Sequence, residues 1–441
     1  VKAHFTGIGG IGMSSLARYF VSQGVEVTGS DEGDSPLIDE LRLEGVPISL
    51  KHDPEIITPD LYQIVYSEAI PPENPELQRA QQLGIPQKSY FAALGDISRN
   101  KRTISICGTH GKSTTTAMAG LALENAFLDP LVILGTKVFE WESKNIRLPQ
   151  AEEPVCAPKG GGLFLVESCE YHHSFLFLEP KIIVVTNVEP DHLDFFGTEE
   201  KYYSAFRSFA EKLDEASVLI ADFSNPKICE IFSSCVAERI NTSDFLQHVP
   251  QMAIPGKHNR ENAACVLAIA SALGAPLQPV KHSLQNFHGT WRRFEKKGEK
   301  DGLLLFDDYA HHPTEVRATL ASFREKFPDQ KIWAVFQPHQ YSRTREFLDG
   351  FSKSFADADE VLIPNIYRVR DTEADVASVS PEKLVEEIKK HNPNARYTQD
   401  FSNTATLLKA EAKPGDVIVT IGAGPVYRVG EEILKESLQN A

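Results

Sequence analysis

Alternating strands and helices in three successive blocks predict an α/β protein. Three features of the 441-residue sequence carry that reading. Short apolar runs such as AHFTG, TISIC and KIWAVF are followed by apolar residues at helical spacing, the pattern of parallel strands joined by crossover helices. Runs such as GLFLVE and KIIVVTNV are apolar almost throughout, as strands covered on both faces are. Glycine-rich turns stand where strands run into helices, which is where an open α/β sheet binds its ligands.

The first block covers residues 1–97. AHFTGIGG is a strand running into glycines, and GMSSLARYFVSQG is a helix closed by Gly24. VEVTGSD is a second strand ending at Asp31, and LYQIVYSEAI a further one before the turn PPENP. The polar stretch GDISRNKR, 95–102, reads as a linker. The second block, 98–288, opens on TISIC and GTHGKSTTT and contains the strands GLFLVE and KIIVVTNV. Between helix and strand, ahead of GLFLVE, RLPQAEEPVCAPKGGG, 147–162, is a Pro/Gly-rich loop of a length usually reserved for function or mobility. The helices NRENAACVLAIASALG and VKHSLQNF close the block. The third, 289–441, has strands at GLLLFDD, KIWAVF, EVLIPN and DVIVTIGAG and a helix at EKLVEEIKKH. Each block offers one sheet edge, and so one site for a multi-substrate reaction.

Composition narrows the function. The net charge of -16 opposes non-specific nucleic-acid binding, which needs a basic face. No apolar run approaches the ~18 residues of a membrane span, so no membrane insertion is expected. VKAHFTGIGG moves directly into a strand and a glycine loop, so no secretory segment is expected. Cys107, Cys156, Cys169, Cys229, Cys235 and Cys265 form no C-x-x-C pair; scattered singly, they read as reduced thiols of a cytoplasmic protein.

The chemistry concentrates in loops. GTHGKSTTT supplies Gly108, Thr109, His110, Gly111, Lys112, Ser113 and Thr114 between a strand and a helix. Glycines let backbone N–H groups approach phosphate oxygens, and the helix N-terminus adds positive charge. Lys112 can reach β- and γ-phosphates, and Ser113 can offer its hydroxyl to Mg²⁺. The usual phosphate loop has four residues between its glycines, whereas only Thr109 and His110 stand here. GIGGIG places Gly7, Gly9, Gly10 and Gly12 in G-x-G-x-x-G spacing, with Asp31 where a ribose-binding acid belongs. That geometry suits any nucleotide diphosphate, and a plain strand-to-helix turn is the competing reading.

Glu167, ending GLFLVE, and His192, in NVEPDHLD, are metal candidates at the same sheet edge. Mg²⁺ prefers oxygen, so His192 as a ligand points to a second site tolerant of Mn²⁺; a hydrogen-bonded structural histidine is the alternative. GKHNREN places His258, Asn259 and Asn262 at a helix start, where amides read an adenine edge or Asn259 simply caps the helix. DDYAHHPTE offers Asp307, Asp308, Tyr309, His311 and His312 before Pro313, but adjacent histidines on such a turn cannot aim at one ion, so polar contacts are expected. FQPHQYSRT offers His339, Tyr341 and Arg343.

Taken together, GIGGIGMSSLA, GTHGKSTTT, TNVEPDHLD, GKHNREN, DDYAHHPTE, FQPHQYSRT and IGAG, in this order over essentially the whole chain, resemble the Mur ligase family. The short G-x-x-G-K-[ST] loop is that family's own form. The resemblance implies a Rossmann-like N-terminal domain, a central P-loop ATPase-like domain with a parallel-rich sheet, and a Rossmann-like C-terminal domain. It implies an ATP-dependent ligation in peptidoglycan synthesis, acting on UDP-N-acetylmuramate with L-alanine, by a monomer or dimer. By carry-over, Gly7, Gly9, Gly10, Gly12 and Asp31 hold the UDP-sugar. ATP meets residues Gly108 to Thr114 with His258, Asn259, Asn262, Arg293 and Asp308. Ser113, Glu167 and His192 hold the metal, and Lys112, His192, His339 and Arg343 are catalytic. A recycling ligase that adds murein tripeptide shares AHHPT but lacks the His-x-Tyr-x-Arg pattern of 339–343. Cys169 and His172 stand where the family has aspartates, and Gln340 where it has a basic residue. An NAD-dependent oxidoreductase built on GIGGIG would leave the second phosphate loop unexplained. A non-catalytic nucleotide-gated protein would not need Lys112, Glu167, His192 and Arg343 together.

Overall fold

The short apolar runs form three separate sheets in the computed structural model, which describes residues 1–150, 162–369 and 371–435. The first sheet contains β1 (Lys2–Thr6), β2 (Glu26–Ser30), β3 (Ile48–Ser49), β4 (Leu61–Tyr66) and β5 (Gln87–Ser89). Its order is β3-β2-β1-β4-β5, all parallel. The order reverses between β1 and β4, which opens a crevice at their carboxyl ends beside GIGGIG. The helix Ile11–Ser22 buries Met13, Leu16 and Ala17 against this sheet's Ala3, Phe5 and Val27.

The second sheet contains β6 (Arg102–Cys107), β7 (Leu131–Val138), β8 (Lys144–Arg147), β9 (Leu163–Glu167), β10 (Ile182–Val185), β11 (Val218–Ala221) and β12 (Glu238–Asn241). Its order is β12-β11-β10-β6-β9-β7-β8, and only β8 runs antiparallel to its neighbour. β6 and β9 are therefore adjacent, and their carboxyl ends deliver Gly108 and Glu167 to one edge.

The third sheet contains β13 (Glu295–Lys300), β14 (Leu303–Asp308), β15 (Ile332–Phe336), β16 (Glu360–Ile363), β17 (Ala395–Tyr397) and β18 (Val417–Ile421). Its order is β13-β14-β18-β15-β16-β17, parallel except for β13 against β14. β13, EKKGEK, shows no apolar alternation; it forms at an edge, where charges face water and blunt further pairing. The chain thus has a three-domain α/β architecture, with Rossmann-like domains before and after an ATPase-like one in sequence.

Two compact units contain these sheets. One joins Val1–Gln251 to Glu261–Phe287, and the other joins Met252–Arg260 to His288–Ala441. The chain therefore passes between the units three times. The segment 252–260 is anchored within the second unit: Glu325 accepts from the Gly256 N–H at 3.2 Å and pairs with Arg260 at 3.0 Å.

Within the first unit the first two sheets are clasped together. Asn145 on β8, fully buried, donates to Ser14 Oγ at 2.9 Å and accepts from Arg18 Nη1 at 2.7 Å. Glu44 holds the other side of Arg18 at 2.9 Å. The stretch 95–102, expected as a linker, is instead the end of the helix Tyr90–Arg99 and the start of β6. Ile97 and Ser98 are buried, and a Cβ on Gly95 would stand 2.5 Å from the Phe177 carbonyl oxygen. Its polar letters hide a packed face.

Most of the loop expected over 147–162, with Cys156, lies outside the described residues. The five described cysteines are free thiols. No helix among the described residues is long and apolar enough to cross a membrane.

Candidate active site

At the carboxyl end of β1, the N–H groups of Gly7 and Ile8 donate to Ser30 O at 2.8 and 3.0 Å, folding GIGGIG against β2. Gly7 takes φ 80°, which a side chain would resist. Asp31 accepts from Gly9 N at 2.9 Å and from Gly33 N at 3.3 Å, so its carboxylate shapes the loop. Gly10 precedes the helix, and Gly12 lies in its first turn. A Cβ on Gly12 would stand 2.7 Å from the Tyr90 ring, so Gly12 is required by packing.

The loop of GTHGKSTTT leaves β6 and enters the helix Lys112–Asn125. Gly108 has φ 133° and Gly111 φ 79°. A Cβ on Gly108 would meet Thr186 Oγ1 at 2.2 Å, and one on Gly111 would meet Asn262 Oδ1 at 2.5 Å. Asn262, far along the sequence, is thereby brought against the loop. Asn187 spans it from below: its Oδ1 accepts from His110 N at 2.9 Å, and its Nδ2 donates to His110 O at 3.0 Å. Thr109 Oγ1 meets Tyr202 OH at 2.8 Å and donates to Glu189 O at 2.8 Å. Thr114 is buried behind the loop.

Lys112 Nζ lies 3.0 and 3.3 Å from the two carboxylate oxygens of Glu170, and donates to Gly108 O at 2.5 Å and Thr109 O at 3.1 Å. Burial works against the ammonium, but the charge and hydrogen bonds of Glu170 outweigh it. Lys112 is thus held above the ordinary lysine value and stays protonated. Ser113 donates to Glu167 Oε1 at 2.8 Å, and Gly135 N donates to Oε2 at 2.6 Å. These paired oxygens are the donor set that Mg²⁺ selects. His192, at φ 55°, lies tilted against Tyr171 at 4.5 Å between centroids and 3.8 Å from Asp191.

In the second unit the helix Lys257–Leu273 begins at GKHNREN. Asn259 lies inside that helix and donates to Pro255 O at 2.6 Å, so it is not the cap. Burial pushes His258 down to about 4, with Glu315 opposing and Arg293 and Arg260 reinforcing the shift.

Asp308 is buried and accepts from Phe294 N at 2.9 Å, Ala310 N at 3.0 Å and Thr319 Oγ1 at 3.1 Å. Asp307 pairs with Arg292 at 2.7 Å, and Arg292 Nη2 donates to Gly422 O at 2.6 Å, tying IGAG to DDYAHHPTE. Burial raises both aspartates against the adjacent arginines. Arg293 lies 5.1 Å from the Tyr309 ring centroid.

His312 caps the helix Pro313–Lys326, accepting from Thr314 N at 3.3 Å. His311 turns instead to Tyr309 O at 3.2 Å, as the turn geometry required. The rings of His311 and His339 are 6.3 Å apart, and Arg343 follows on the short helix Tyr341–Glu346. Arg292, Asn187 and Tyr202 also hold these loops, and no motif in the sequence marks Arg292 or Tyr202 for it. Asn187 carried a signal, since it stands two residues past the end of the apolar run IIVV.

The chain matches the Mur ligase family, catalytic domain, over residues 2–102. It matches the Mur ligase middle domain over 106–241 and the Mur ligase glutamate ligase domain over 292–424. It is 36% identical to a UDP-N-acetylmuramate–L-alanine ligase of Lachnospira eligens, covering 99% of this chain and 98% of the relative. A ligase of the same name from Caldanaerobacter subterraneus is also 36% identical over 99% and 98%. Among solved structures, the chain is similar to a UDP-N-acetylmuramate-alanine ligase from Thermotoga maritima, with TM-score 0.78, 26% identity and 98% of each chain covered. It shares the fold of a murein peptide ligase from Psychrobacter arcticus, with TM-score 0.71, 22% identity and 98% of each chain covered.

Proposed function

The chain belongs to the Mur ligase family, and we propose that it joins L-alanine to the lactyl carboxylate of UDP-N-acetylmuramate at the expense of ATP. The observation that carries the reading is the edge where Lys112, Ser113 and Glu167 converge, in a chain alike to L-alanine ligases from end to end.

A carboxylate is a poor acylating agent, so it must first be activated. The lactyl oxygen attacks the γ-phosphorus, the bond to ADP breaks, and an acyl phosphate forms. The amine of L-alanine then attacks that carbonyl, loses a proton and expels phosphate.

The first step brings two anions together. Lys112, kept protonated by Glu170, offsets that repulsion, and the N–H groups of Gly111, Lys112 and Ser113 at the helix start would cradle the phosphates. Ser113 and Glu167 would hold Mg²⁺, which supplies further positive charge at the phosphate oxygens. His192 would serve a second ion tolerant of Mn²⁺.

Gly7, Gly9, Gly10 and Gly12 would bear the UDP diphosphate, with Asp31 keeping the loop in shape. Asn262 would stand beside the nucleotide, and His258, Asn259, Arg293 and Asp308 are further ATP contacts that the family resemblance implies. His339 and Arg343 would receive the amino acid. The protein would act in the cytoplasm as a monomer or dimer.

The test is phosphate release with ATP, Mg²⁺ and UDP-N-acetylmuramate, screened over L-alanine, L-serine, glycine and murein tripeptide. Release with L-alanine foremost supports the reading. Release only with the tripeptide would move the chain to the recycling reaction.

A further inference from the structure

Residues 364–369 and Asp371 run alongside FQPHQYSRT and are hydrogen-bonded to it. Gln340 N donates to Tyr367 O, and Tyr367 N to Pro338 O, each at 2.9 Å. Ser342 N donates to Asp371 Oδ1 at 3.0 Å, and Gln337 Nε2 to Asn365 Oδ1 at 2.5 Å. Gln340, at the position where a basic side chain was expected, spends its amide on Val369 O at 3.2 Å.

Tyr367 is thereby fixed by its backbone on both sides. Its ring lies 5.7 Å from the His339 imidazole, centroid to centroid, and remains 38% exposed. The base of the ring abuts Gly424, where a Cβ would stand 3.0 Å from Tyr367 Cγ. Backbone bonds fix the root of the side chain, and close packing beside Gly424 limits how far the ring can swing. A large half-exposed ring in such a position has no role in the chemistry described above.

We propose that Tyr367 is a specificity-determining residue, the wall that limits the side chain of the incoming amino acid. The inference rests on the ligase reading and on the placement of the amino acid at His339 and Arg343. One methylene refused by an apolar wall is worth roughly 10- to 200-fold in kcat/KM.

The experiment compares L-alanine with L-2-aminobutyrate and L-valine in the wild type, Tyr367→Ala and Tyr367→Phe. Hydroxylamine trapping of the acyl phosphate is run in parallel, without amino acid. In Tyr367→Ala the preference for L-alanine over L-2-aminobutyrate should fall by ~10-fold or more. In Tyr367→Phe, which keeps the ring, it should hold. Hydroxamate yield should match the wild type in both, which a general disturbance of the fold would not allow. An unchanged preference in Tyr367→Ala, or equal relaxation in Tyr367→Phe, overturns the proposal. Should Tyr367→Ala fail to fold, Tyr367→Trp narrows the same space. It should depress L-alanine relative to glycine, and no change in that ratio overturns the proposal equally. A wild type that traps no hydroxamate would instead sink the ligase reading itself, and the wall with it.

Discussion

Replacing Lys112 by alanine should damage the first unit twice, once in chemistry and once in stability. Lys112 is the counter-charge of Glu170, whose side chain is only 1% exposed. Its removal leaves that carboxylate buried, with Tyr202 OH at 3.5 Å as its remaining side-chain hydrogen bond among the described residues. Breaking a buried pair by deleting one partner costs ~3–5 kcal/mol. At an m-value of about 3 kcal/mol per molar urea, the unfolding midpoint should fall by roughly 1–1.7 M. Trp141 reports on this unit once Trp291 and Trp333 are changed to phenylalanine. Turnover should fall by ~10²–10³, the usual cost of one transition-state partner. Binding of UDP-N-acetylmuramate, measured by calorimetry, should stay near the wild-type value because its loop is elsewhere. The double variant Lys112→Ala with Glu170→Gln should recover most of the stability and none of the turnover. The reasoning fails if Lys112→Ala unfolds within ~0.5 kcal/mol of the wild type, the range of neutral surface changes. It fails also if the double variant is no more stable than the single one.

Gly111→Ala forces a left-handed residue, at ~1–2 kcal/mol, and drives a Cβ to 2.5 Å from Asn262 Oδ1. Calorimetry should show ATP affinity down by ~10-fold or more, with UDP-sugar affinity unchanged. Arg343→Ala should raise the KM for L-alanine by roughly 10- to 100-fold, the worth of a charge-assisted carboxylate contact. Hydroxamate formation should survive, and a normal KM would assign Arg343 to the protein surface. His258 should give the second unit an acid-sensitive limb. Its folded value of about 4 lies below the ordinary 6.5, so between them the folded state binds fewer protons. Stability should be unaffected above pH ~6.5, fall as pH drops toward ~4, and lose at most ~3 kcal/mol in total. In His258→Gln, denaturant titrations followed at Trp333 should show that limb flattened, and an unchanged slope would refute the assignment.

Much of this was legible because glycines and strand ends are local signals. Gly7, Gly108 and Gly111 announce backbone that turns left-handed, and the spacing of Lys112 and Ser113 follows from the helix they begin. What escaped depends on partners distant in sequence. GDISRNKR is polar by composition but packed, because Phe177 lies against Gly95. Two adjacent arginines carry no mark of which is buried, and Asp307 selects Arg292. Asp31 was expected at a ribose, and its carboxylate also holds Gly9 and Gly33. Asn259 was weighed as a cap, yet the helix begins before it, at Lys257. The charged β13 defeats any hydrophobic pattern, since an edge strand needs only one paired side.

The three passages of chain between the units bear on what recombination can exchange. A crossover near residue 288 would transplant the later sheet without 252–260, and with it the anchorage of Glu325 to Gly256 and Arg260. A recipient would have to supply a compatible segment from the middle of its own gene. The gene fragment and the folding unit therefore do not coincide, and a fragment that carries the later unit whole must begin at or before residue 252 and take 261–287 of the other unit with it.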